Sequence, residues 1–384
     1  MNRMKPTHRQ RIAIFALLTL ASVLVLSGCS NSVASGQTDI PCNDGSSETG
    51  AFDKNPTSAG SVPVSANPPG IWATSVVGQN DTILAGGRTE DWQDSVGESP
   101  AVVDRISGSS GVIITSASID SAALKLPPAP VSTSTTSPIY DDVTAVAASP
   151  TRVYVLWRRY ANDLAADSYL VSLDRCGLSI VAQQKLTGYD TTKGDLLAYD
   201  SKTNTVWVPN TPNGGQLSSY DGDSLSLKSS STLDGVFTVE CMVEHGDAVW
   251  ASGLLQGSEG NTFNLFSTDP STGSASLVQE GAKNDYSCVQ TDGTQLYLAH
   301  EAELTSVSDD GAPGTSTPLG FSKVAGVAND DVWASGTQQG VLSTVPQKTT
   351  ISFQQQQVVL SITTTPMNVW YTDGGGYLIV VTTP

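Results

Sequence analysis

Val249-Trp250-Ala251, preceded by the turn Gly246-Asp247, is one copy of a unit that the chain repeats. The other copies of this short strand are Ile83-Leu84-Ala85, Val153-Tyr154-Val155, Val206-Trp207-Val208, Leu296-Tyr297-Leu298, Val332-Trp333-Ala334 and Val369-Trp370-Tyr371. Their middle residues are 70, 53, 43, 47, 36 and 37 positions apart. Polar turns precede them, among them Gln79-Asn80-Asp81, Ser149-Pro150-Thr151, Lys202-Thr203-Asn204 and Asp292-Gly293-Thr294, with the residue types that reverse a chain. Third strands follow at Tyr169–Leu173, Phe263–Ser267 and Tyr377–Val381.

Apart from the first step, the spacing falls near the length of one propeller blade. Six of the seven units carry an aromatic at the same place, which a residue packed between neighbouring sheets explains and a β-sandwich does not ask for. The expectation is an all-β chain folded as a β-propeller of seven blades, with six or eight as alternatives. Trp207, Trp250, Trp333 and Trp370 are then expected between blades. The composition, with 35 Gly, 20 Pro and 39% apolar residues, suits many short strands and turns. Over residues 70–384 the pattern resembles bacterial extracytoplasmic propellers of the beta-propeller-repeat kind. It lacks the Gly-His…Trp-Asp signature of WD-type blades and the Ser-x-Asp-x-Gly box of sialidases, and a kelch-like glycine pair is well placed only at Gly86-Gly87. The resemblance therefore implies an architecture and no activity. The last unit supplies three strands, and Ser61-Val62-Pro63-Val64-Ser65 is the natural source of the missing outer one.

Toward the N-terminus, Arg3, Lys5, Arg9 and Arg11 lead into the uncharged run Ile12–Ser27, which is short for a membrane span and suits a signal-peptide core. It ends at Leu26-Ser27-Gly28-Cys29, which resembles the lipobox of bacterial lipoproteins. That resemblance implies a signal peptide over 1–28, cleavage before Cys29, and lipidation of Cys29, palmitate included. The protein would then be held on the outer face of the cell membrane. Residues 29–69, rich in Ser, Gly, Asn, Thr and Pro, read as a flexible tether.

Cys42, Cys176, Cys241 and Cys288 remain, an even count in an oxidising compartment, and two disulfides have three possible pairings. Cys241 and Cys288 each lie nine residues before the central aromatic of their unit, so they share a register on adjacent inner strands. The expected pairs are Cys241–Cys288 and Cys42–Cys176.

The charge is lopsided, with 37 acidic against 19 basic residues, and four of the basic ones lie before Cys29. Such a surface repels nucleic acid, so no nucleic-acid partner is expected. After residue 29 the only arginines are Arg88, Arg105, Arg152, Arg158, Arg159 and Arg175, all within the first two units. Long B–C loops are expected at residues 88–98, 158–167 and 252–262, with a long D–A segment at 118–142. Two of these loops carry Arg88 with Trp92 and Trp157-Arg158-Arg159-Tyr160, a cationic-aromatic cluster suited to carboxylates, sugars or aromatic anchors. The plain alternative is that Arg158 and Arg159 offset the nearby Asp163 and Asp167. No histidine pair, nucleophile elbow or calcium loop stands out, so neither metal nor cofactor is expected. The leading expectation is a non-catalytic binding or scaffolding module of the cell envelope with a protein or peptide partner. The alternative is a carbohydrate-active protein, either a glycan binder, a glycoside hydrolase or a lyase.

Overall fold

The computed structural model describes Cys42, residues 60–62 and most of 71–382, with side chains for Cys42 and most of 73–318. Residues 1–41, and with them Cys29, lie outside the described residues, as does Trp92. The described strands form seven four-stranded antiparallel sheets. Numbered in chain order, with strands A to D running from the inside outward, the first sheet holds Ile71–Gln79, Thr82–Thr89, Ala101–Ser107 and Ile113–Ile119. The second holds Ile139–Ala148, Arg152–Ala161, Leu164–Asp174 and Ile180–Lys185. The third holds Ala198–Asp200, Thr205–Asn210, Gln216–Asp221 and Leu227–Thr232, and the fourth Thr238–His245, Ala248–Gly257, Gly260–Thr268 and Ala275–Gln279. The fifth runs from Ser287–Thr291 through Leu296–His300 and Glu303–Val307 to Pro313–Pro318. The sixth begins at Lys323–Ala328 and the seventh at Val359–Thr365.

The A strands touch in sequence around a closed ring, the seventh meeting the first. The ring is latched by Gly60–Val62, which pairs with Leu378–Thr382 as the outer strand of the seventh sheet. This strand lies one residue before the start of the expected stretch and takes its residues from the segment read as a tether.

Between sheets the packing is apolar. Tyr154, Trp207 and Trp250, at the centre of their B strands, are buried, while Trp333 and Trp370 are described by backbone alone. Polar groups lock the seams in register: Val146 N donates to Ser75 Oγ at 3.1 Å, Tyr154 Oη to Gly222 O at 3.0 Å and Val289 N to Ser252 Oγ at 2.9 Å. Such bonds leave few buried polar atoms idle along a seam that crosses between backbones. Gly86 is a matter of space, since a Cβ there would meet Val146 Cγ2 at 2.7 Å on the neighbouring A strand.

The C–D turns repeat a device the sequence conceals. Asp174, Asp221 and Asp269 each accept backbone N–H groups two or three residues on, and the fourth residue after each has a left-handed backbone: Leu178, Leu225 and Gly273. Glycine is the ordinary occupant of that conformation. Leu178 and Leu225 tolerate it because both side chains are buried in the cores on either side of the second sheet.

The disulfides are Cys241–Cys288, joining the A strands of the fourth and fifth sheets, and Cys42–Cys176, joining the N-terminal segment to the second sheet's C–D turn. Cα atoms are 5.4 Å apart in both.

Candidate binding face

Two of the segments expected to be long B–C loops are mostly strand. Residues 158–167 continue the hairpin of Arg152–Ala161 with Leu164–Asp174, and 252–262 continue that of Ala248–Gly257 with Gly260–Thr268. In each, an alternating stretch extends the ladder almost to the turn. The loop 90–98 lies outside the described residues.

The hairpin ends still place the cluster on the face of the B–C and D–A connections. There the A strand of the second sheet opens with Tyr140-Asp141-Asp142, directly opposite Tyr160, Arg159 and Arg158. Arg159 Nε donates to Asp141 Oδ1 at 3.1 Å, and Arg159 Nη1 reaches Pro127 O at 3.4 Å. From the first sheet, Arg88 Nη1 lies 3.6 Å from Asp142 Oδ2, with its guanidinium 4.8 Å from the centre of the Tyr140 ring. Tyr140 stacks on Tyr160 with centroids 4.9 Å apart. Asp141 N donates to Ser99 O at 2.8 Å, which ties the start of the first sheet's C strand into the same knot.

This differs from an open cationic patch. Trp157 is fully buried and donates from Nε1 to Ile119 O at 3.1 Å; it braces the two sheets and faces no ligand. Arg158 is fully buried, and Arg159 nearly so. Asp141 and Asp142 on the adjoining strand pair with Arg159 and Arg88; Asp167 pairs with Lys185 at 2.7 Å, and Asp163 lies outside the described residues. What reaches solvent is the edge of Arg88, whose side chain is 15% exposed, and part of Tyr160. Asp141 and Asp142 thus pair with Arg159 and Arg88, and the stacked Tyr140 and Tyr160 rings lie beside them.

Sequence reasoning missed four residues of this face. Tyr140, Asp141 and Asp142 were legible by counting back from the turn Ser149-Pro150-Thr151, had the bulge between Val143 and Ala145 been allowed for. The fourth is Phe237, whose N donates to Leu254 O at 2.7 Å on the D–A connection into the fourth sheet. It is 48% exposed, and among the described residues no other Phe, Trp or Tyr is exposed.

On the opposite face the fourth and fifth sheets enclose a shallow cavity of about 530 Å³ lined by His245, Asp247, Trp250, Asp269 and Asp309. His245 Nδ1 lies 2.9 Å from Thr291 Oγ1 and Nε2 3.4 Å from Asp309 Oδ1, so the ring bridges the two sheets. Glu244 is pushed up to about 7, first by burial and then by Asp200.

No family model and no curated protein matches the chain. Solved structures do. The catalytically inactive virginiamycin B lyase of Staphylococcus aureus, solved with quinupristin, matches with a TM-score of 0.56 at 10% identity, over 85% of this chain and 99% of that one. The Pan2 WD40 domain of Neurospora crassa matches at 0.52 and 13% identity, over 81% and 89%. The β-propeller domain of the Pyrococcus furiosus Trilobed protease matches at 0.51 and 9%, over 78% and 88%. The fold is a β-propeller. At such identities the likeness reaches no further than the fold, because sites are grafted on folds independently of them.

Proposed function

We propose that the chain is a seven-bladed propeller anchored through Cys29 to the outer face of the cell membrane. In this reading it is a non-catalytic module that binds a protein or peptide partner of the envelope. The observation that carries this is the top of the first two blades, where Arg88, Tyr140 and Tyr160 form a rigid spot whose carboxylates are already held by arginines. Stacked phenols fixed beside a paired guanidinium fit an aromatic or polar side chain, and aromatic and arginine anchors carry much of the energy in protein interfaces. Phe237 extends the face across the ring. The two disulfides support an oxidising address.

The test is a photo-crosslinking residue placed at Tyr160 in intact cells, run beside a glycan array probed with the purified protein. A discrete protein adduct that disappears with Arg88→Ala is the expected result. Glycan binding at the same face without an adduct would replace this reading with the carbohydrate one.

A further inference from the structure

We infer that the two fastenings of the N-terminal segment bias which face of the disc looks at the membrane: the A–B and C–D turns favour the lipid side, and the face bearing Arg88, Tyr160 and Phe237 favours the side away from it. The inference rests on the reading of Cys29 as the anchor and adds to it an orientation.

Cys176 lies in the C–D turn between Leu164–Asp174 and Ile180–Lys185, on the turn face of the second sheet. Cys42 is bound there, so the first fixed point is 13 residues from Cys29. At full extension those residues span about 47 Å. A ten-residue strand such as Arg152–Ala161 is already about 33 Å long. To lay the opposite face on the membrane, the segment would have to climb the whole rim of the disc and would keep only about 14 Å for everything else. With the turn face down it has no climb to make.

The second fastening agrees independently. Gly60 pairs with Val380 and Val62 with Leu378, antiparallel to a C strand that runs toward its C–D-turn end. The latch strand is therefore entered from the turn face, and the chain before residue 60 arrives from that side even without the disulfide. The turn face carries Asp221, Asp223, Asp247, Asp269, Asp309 and Asp310 against the cations Arg152, Arg175 and Lys202. Facing anionic headgroups it is repelled, so the disc stands off from the lipid on its leash instead of lying on it. A partner then has to approach the Arg88 face from outside the membrane.

The experiment places a dye, through a genetically encoded residue, at Asp223 or at Asp234 in the membrane-bound protein. Both positions are exposed, the first in the C–D turn of the third sheet and the second on its D–A connection. Energy transfer is read to labelled lipid in phosphatidylethanolamine–phosphatidylglycerol vesicles. Strands of six residues separate the two positions by about 20 Å, enough for about two-fold more transfer from Asp223. With Cys42→Ser and Cys176→Ser together, the difference should narrow and keep its sign. Equal or reversed transfer in vesicle-bound protein overturns the orientation and leaves the anchor standing. Protein that fails to sediment with the vesicles overturns the anchor and the orientation with it. An unchanged difference in the double variant removes the disulfide's part and leaves the latch strand as the cause.

Discussion

Where the second sheet meets the first, the seam is capped by buried charge: Asp141 with Arg159, Asp142 with Arg88, and Arg158 beneath them. Where the fifth meets the fourth, a disulfide between inner strands and the His245 bridge stand in that place, while both seams share a backbone N–H donated to a serine hydroxyl. Buried ion pairs contribute little net stability once desolvation is counted, and apolar replacements often do as well. A disulfide contributes chiefly by restricting the unfolded chain. The contrast teaches that the first seam holds its charges at a cost another seam avoids, which fits a face kept for recognition.

The comparison breaks most readily at Asp141. Asp141→Ala removes the carboxylate that answers the buried Arg159 guanidinium and should cost about 3–5 kcal/mol in urea unfolding. Asp141→Leu with Arg159→Met should recover most of that loss; a pair of variants with equal, undiminished losses would make the ion pair a stability device after all. Cys241→Ala with Cys288→Ala should cost about 2–4 kcal/mol, and dithiothreitol should produce a similar loss in a Cys42→Ser, Cys176→Ser background and none in the variant lacking all four disulfide cysteines.

Asp104 is a buried charge of a different kind, with no cation paired to it among the described residues. It is buried on the face of the first sheet turned away from the second, and burial pushes it up to about 7 against a weaker pull from Ser116. The folded state therefore binds its proton more tightly than the unfolded chain, so its contribution falls as pH rises from about 4 to 7. Asp104→Asn should stabilise by roughly 2 kcal/mol at pH 8 and change little at pH 4, as read by thermal unfolding at both values. The smallest effect belongs to the turns. Asp221 is held below the usual carboxylate range, first by the Ser224 backbone N–H. Asp221→Ala should cost about 1 kcal/mol above pH 4 and less in acid. If these turns cost more than the Cys241–Cys288 bond, the ring is held from its rim and not from its centre.

The ring was legible because its period is written in one residue per unit. Tyr154, Trp207 and Trp250 sit at the centre of their B strands for one packing reason, burial between sheets, so spacing alone exposes it. The cysteine register was legible for the same reason. The site was harder. Arg158 and Arg159 looked like loop residues because Tyr160-Ala161 and Leu164-Ala165 alternate too briefly to announce a hairpin, and their partners lie on a strand that begins about 20 positions earlier. A single bulge at Thr144 shifts the pairing and hides Asp142 from a simple count. The D-x-x-x-L-S echo between Asp174 and Asp221 is hard to see because the third copy of the turn, in the fourth sheet, has Gly273 in place of leucine.

The bond from Cys42 to Cys176 also decides where a mechanical load goes. A pull on residues before Cys42 passes through sulfur into the second sheet, whose C strand is paired on one side with the ten-residue Arg152–Ala161 and on the other with the six-residue Ile180–Lys185. The residues between 43 and 59 lie outside that load path, so the three-residue latch at Gly60–Val62 feels no tension. Break the disulfide and the same pull falls on the latch, at the one place where the ring is closed by a strand from the far end of the chain. The cross-link thus works as a strain relief, the way a cable is clamped before its connector.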